Sequence, residues 1–124
     1  MAKHAGSFDF ILGLSVFTHL PLELETAWLA ELARLAAPGA VLFLTYHGTD
    51  LISPHFTMDQ ALQNDQGFSY FRTSPTKGLP DYYQASFHSE EALHRLWGGC
   101  FEIRAILPGS IDSIQGAVIC TPKM

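Results

Sequence analysis

The chain has 124 residues, 48% of them hydrophobic, and a net charge of −5. That is one domain, long enough to bury roughly two-thirds of its unfolded surface, and too apolar for a disordered chain. The seven basic residues are scattered, so no Lys/Arg cluster exists to neutralise phosphates, and nucleic acid is excluded as a main partner. No apolar run approaches the roughly 18 residues of a membrane span. The first residues lack the pattern of a secretory leader. Cys100 and Cys120 make no disulfide framework, so a reducing cytoplasm is the expected setting.

The first element is a strand over residues 8–14, Phe-Asp-Phe-Ile-Leu-Gly-Leu. Strands this apolar belong in a parallel sheet covered on both faces. A helix is expected over 22–37, with Leu24, Trp28, Leu32 and Leu35 forming an apolar stripe. Pro21 suits its first turn, and Glu23 and Glu25 suit the positive end of its dipole. Pro38-Gly39 ends it, and a second apolar strand follows over 41–46.

Residues 49–85 read as a long irregular, aromatic-rich insertion, with a short helix over 58–64. Loops of this length in compact domains are usually functional or mobile. Ser89 is a good N-cap for a second helix, which carries Leu93, Leu96 and Trp97 on one face and stops at Gly98-Gly99. Strands over 101–107 and 116–120 are separated by a short link, which predicts an antiparallel hairpin.

The residues carry a resemblance as well. Gly6-Ser7-Phe8-Asp9-Phe10-Ile11 runs into Leu14-Ser15-Val16-Phe17-Thr18-His19-Leu20, and Leu32 to Leu35 leads through Ala36-Ala37-Pro38-Gly39-Ala40 to Val41-Leu42. Phe87-His88-Ser89-Glu90-Glu91, Gly99-Cys100-Phe101-Glu102-Ile103 and Gln115-Gly116 follow in order. Together these are similar to the C-terminal half of a class I S-adenosylmethionine-dependent methyltransferase, from its fourth strand onward. Each motif is common alone; their order and spacing make the match.

The resemblance implies an α/β fold. It would be a partial Rossmann-like sheet of about four strands, the last two an antiparallel hairpin, with helices mainly on one face. S-adenosylmethionine is the implied cofactor, with Ser15, Val16, Phe17 and His19 against it. Tyr46, Tyr70 and Tyr82 would line an acceptor pocket for a small molecule, and His47 would be the base or acceptor contact. The family's glycine-rich cofactor loop and the acid that holds the ribose have no counterpart here. A truncated or split methyltransferase that binds cofactor weakly by itself is therefore the expected function. A non-catalytic oligomeric module that retains the fold is the alternative.

Two other chemistries are weaker in the residues. Six histidines show no H-x-x-x-H pair, so no metal site is expected. Gly13-Leu14-Ser15-Val16-Phe17 is a near miss of the serine hydrolase elbow, with Phe17 in place of the second glycine and Asp81 and His88 in suitable chain order.

The physics adds one demand. Crossovers that step in one direction put both helices on the same face. Ile11, Leu42, Leu44 and their neighbours nonetheless read as two-sided burial. A homodimer through the first strand or the uncovered face, or a partner chain supplying the other half of the domain, is expected to cover it.

Overall fold

The computed structural model describes residues 5–49, 52, 61–72, 84–111 and 114–123. Seven strands and two helices run in the order β1 (Phe8–Gly13), α1 (Leu22–Leu35), β2 (Ala36–His47), β3 (Gln63–Asp65), β4 (Phe68–Phe71), β5 (Ala85–His88), α2 (Glu90–Trp97), β6 (Phe101–Ile111) and β7 (Gln115–Pro122).

The main sheet has the order β1-β2-β7-β6. The pair β1–β2 is parallel, with Ile11 opposite Leu42 and Gly13 opposite Leu44. The pairs β2–β7 and β7–β6 are antiparallel, so the expected closing hairpin is present. Helix α1 stops two residues earlier than its pattern suggested. Ala36 is already extended, and its N–H closes the last turn on the Leu32 carbonyl. Pro38 cannot continue a helix, and β2 takes up the slack as an irregularity against β1. Gly39, at φ 79°, supplies the left-handed residue this needs.

Both helices pack on one face of the sheet. Leu29 of α1 and Leu93 and Trp97 of α2 form one core with Leu42, Leu44, Val118 and Cys120, all fully or almost fully buried. Over the opposite, outer face no element of the described residues is laid. Alternation along β1 and β2 points Phe10, Leu12 and Val41 to that side, and they are 59%, 58% and 39% exposed. Two-sided burial therefore fails at these positions, because nothing among the described residues lies over them.

The segment 49–85 is not wholly irregular. Strands β3, β4 and β5 form a second, antiparallel sheet. Gln63 and Asn64 pair with Tyr70 and Ser69 as strand, which corrects the helix expected over 58–64; residues 58–60 of that helix lie outside the described residues. The reason is the turn. Gln66 and Gly67 both have positive φ, the geometry of a two-residue hairpin that matches strand twist. A Cβ at Gly67 would meet the Ser89 hydroxyl at 2.2 Å, so the turn also needs glycine for space. The small sheet docks at the end of β2 through a bridge between Gly48 and His88.

Candidate functional site at the strand ends

In open α/β sheets ligands gather beyond the carboxyl ends of the strands. Here Gly13 and Leu44 are paired neighbours, so the turn after β1 and the end of β2 lie side by side. Ser15 holds a left-handed conformation, φ 59°. Its N–H donates to Thr45 Oγ1 at 2.8 Å, and its hydroxyl accepts from Gln115 Nε2 at 2.8 Å. These bonds hold a residue that is not glycine in a region L-residues seldom occupy.

The rest of the turn is fastened to β5. The Ser86 hydroxyl donates to the Phe17 carbonyl at 2.8 Å, and the Ser86 N–H to the Thr18 carbonyl at 2.9 Å. His19 donates through Nδ1 to the Gln84 carbonyl at 2.7 Å. Phe17 itself turns inward, buried, with its ring 5.1 Å from that of Trp97. Leu14 and Val16 are the side chains of this turn that face solvent, 53% and 37% exposed.

At the end of β2, Tyr46 is buried and its ring lies over Gly116, where a Cβ would come within 2.5 Å of it. Tyr46 also borders a cleft of about 220 Å³ shared with Gly48, Thr49, Ser89, Glu90 and Pro108. His47 sits between His19 and Phe87, ring centroids at 6.2 and 5.5 Å. Its Nδ1 is buried without a hydrogen-bond partner. Burial, reinforced by the neighbouring His19 and His88, lowers its pKa to about 4. Tyr70 lies in β4, where burial pushes its phenol up. Tyr82 lies outside the described residues. The structure thus brings Ser15, Val16, Phe17, His19, Tyr46 and His47 to one end of the molecule.

The shift of His47 has a consequence for stability. The neutral ring is the folded form and the unfolded chain binds the proton more readily. Its contribution is full above about pH 6.5 and is lost as pH falls toward 4. A loss of about 2 kcal/mol across that window is expected after allowance for solvent screening. Urea melts at pH 7 and pH 4.5 should show it, and His47→Gln should flatten the difference.

One pair escaped the sequence reading. Glu25 and His88 are both fully buried, and His88 Nε2 donates to Glu25 Oε1 at 2.7 Å. Trp97 Nε1 donates to the second oxygen of Glu25 at 3.3 Å. In the sequence Glu25 reads as a first-turn dipole residue; in the helix it lies one turn before Leu29 on the buried face. This pairing also bears on the hydrolase constellation. His88 is bonded to Glu25 and Ser15 to Gln115, so the two are not bonded to each other; Asp81 lies outside the described residues. Among the described residues no three His, Cys, Asp or Glu side chains could hold a metal ion. No described helix is long and apolar enough to cross a membrane.

S-adenosylmethionine would ask this end for donors to its carboxylate and an acid for its ribose hydroxyls. Ser15, Thr45, Gln115, Ser86 and His19 instead spend polar groups on one another and on backbone. What they leave is an apolar surface, Leu14 and Val16. Measured against that cofactor, the exposed side chains of this turn offer apolar contact and not polar anchors.

No protein-family model and no curated protein matches the chain. Solved structures do match it. The PH0226 protein of Pyrococcus horikoshii OT3 aligns with TM-score 0.64 and 12% identity over 99% of this chain and 55% of its own. The 1,6-didemethyltoxoflavin-N1-methyltransferase of Burkholderia thailandensis, solved with S-adenosylhomocysteine, aligns with TM-score 0.65 and 13% identity over 97% of this chain and 45% of its own. A SAM-dependent methyltransferase of Methanosarcina mazei aligns with TM-score 0.62 and 22% identity over 98% and 61%. The chain spans about half the length of these structures. It therefore has the fold of part of a SAM-dependent methyltransferase domain, a partial Rossmann-like sheet with its helices on one face.

Proposed function

We propose that the chain is a methyltransferase-type half domain that contributes one wall of an S-adenosylmethionine site and does not hold the cofactor tightly by itself. The observation that carries this reading is the match of nearly the whole chain to methyltransferases, one of them with bound S-adenosylhomocysteine. Fold likeness alone is analogy; the strand ends add the chemistry. In this reading Leu14, Val16 and the backbone of Ser15 face the cofactor. Phe17 and His19 act by fixing that turn from below and from β5.

The acceptor side falls to the end of β2. A ring with a pKa near 4 is neutral at pH 7 and a poor proton store. His47 then serves better as a hydrogen-bond partner for an acceptor's N–H or O–H than as a strong base. Tyr46 borders the small cleft beside it, and Tyr70 joins the acceptor wall in this reading. Methyl transfer is an in-line displacement, so such a wall would work mainly by positioning. The setting proposed is the cytoplasm.

Amide chemical-shift mapping with S-adenosylhomocysteine tests the placement. Weak, fast-exchange shifts are expected at residues 14–19 and 46–48. Shifts confined to the small sheet or to α1 would contradict it. A non-catalytic module is the second reading, favoured by the bare apolar face; the absence of any shift at millimolar ligand would support it.

A further inference from the structure

The largest unexplained feature lies away from the strand ends. On the outer face of the main sheet, Phe8, Phe10, Leu12 and Val41 are 41%, 59%, 58% and 39% exposed. Cross-strand register continues the patch through Phe43 to Ile119 and on to Ala105. Leu107, 41% exposed, stands on the same side, opposite Ala117. The described part of the second sheet does not reach it.

We propose that this face binds a second copy of the chain, forming a two-fold dimer in which the outer faces of β1 and β2 pack on each other. Area is the first argument. The exposed side chains of the patch present on the order of 500 Å² of apolar surface, the upper end for a free monomer. With Phe43, Ile119 and a polar rim it comes within reach of the ~800 Å² per partner that a specific dimer buries. Two sheets packed face to face place their layers about 10 Å apart, a spacing that aromatic and leucine side chains fill.

Charge is the second argument, and it points to a copy. An isologous interface must be self-complementary. The patch is apolar through β1, β2 and β7, and its rim on β6 carries one acid and one base two residues apart. Glu102 and Arg104 are both exposed and bonded at 3.0 Å within the chain. A two-fold axis between the sheets and perpendicular to the strands reverses strand direction. It lays β1 on its mate and β6 on its mate, so each Glu102 comes opposite the other copy's Arg104. Apolar surface meets apolar surface, and acid meets base.

Sedimentation equilibrium of the whole chain at 1–100 μM, by order of magnitude, tests this. The expected result is a species of twice the monomer mass. Leu12→Lys replaces an already exposed side chain, so it should leave far-UV circular dichroism unchanged while raising the dimer dissociation constant at least 100-fold. Glu102→Lys and Arg104→Glu should each weaken the dimer several-fold, and the double exchange should restore it. A wild-type monomer across the range overturns the proposal. So does a dimer indifferent to Leu12→Lys, or a chain that assembles only when a different polypeptide is added.

Discussion

Replacing Glu25 with Ala should cost about 3–5 kcal/mol of stability. The carboxylate is fully buried in the first turn of α1 and receives two donors, His88 Nε2 and Trp97 Nε1. Those donors come from β5 and α2, so one side chain ties together both helices and the second sheet. Without it, His88 and Trp97 keep buried N–H groups with nothing to accept them, and each such group carries a desolvation penalty. Denaturant unfolding measures the loss. The double replacement Glu25→Leu with His88→Phe should recover part of it, because it removes the His88 orphan and leaves the Trp97 N–H as the one donor of the group without an acceptor. A double variant as unstable as Glu25→Ala would show that the pair does more than satisfy itself.

Trp97→Ala is expected to cost a similar amount, about 3–5 kcal/mol, for a different reason. The indole is fully buried. Its ring lies 5.1 Å from that of Phe17, tilted to it, and 5.6 Å from that of His88, edge to face, centroid to centroid. Its removal opens a cavity under the turn that carries Ser15 and Val16. The stability loss should therefore come with a local signature: faster amide exchange at 14–19 than at the centre of β2. Trp97→Phe keeps most of the volume and drops the N–H, and should cost less than half as much. Unfolding and hydrogen exchange on the two variants separate the packing contribution from the bond to Glu25.

Much of the main sheet was legible in the residues. Strands over 8–14 and 41–46 are apolar runs of strand length, and Ser89 followed by two acids marks a helix start that the structure reproduces, with its hydroxyl accepting from the Ala92 N–H. The hairpin of β6 and β7 followed from a short link between two such runs. The second sheet was not legible. Its strands are three or four residues long, too short for a period to emerge, and the Gln66-Gly67 turn lacks the Asn or Asp that usually announces a hairpin.

The site was legible only in outline. Ser15, Val16, Tyr46 and His47 fall at the strand ends because strand ends can be read from apolar runs. Phe17 reads like its neighbours in sequence, yet the left-handed Ser15 turns it into the core. The Glu25–His88 pair could not be read at all, because 63 residues separate its members and neither residue type is ordinarily fully buried. The apolar outer side of β1 was visible in Phe8, Phe10 and Leu12. Which side stays open depends on both helices taking the same face, and topology decides that.

Isothermal titration of the chain with S-adenosylmethionine tests the central claim, that these residues form one wall of a cofactor site and lack its polar anchors. The expected result is binding no tighter than about 1 mM, worth about 4 kcal/mol. One-to-one binding at micromolar affinity would contradict it.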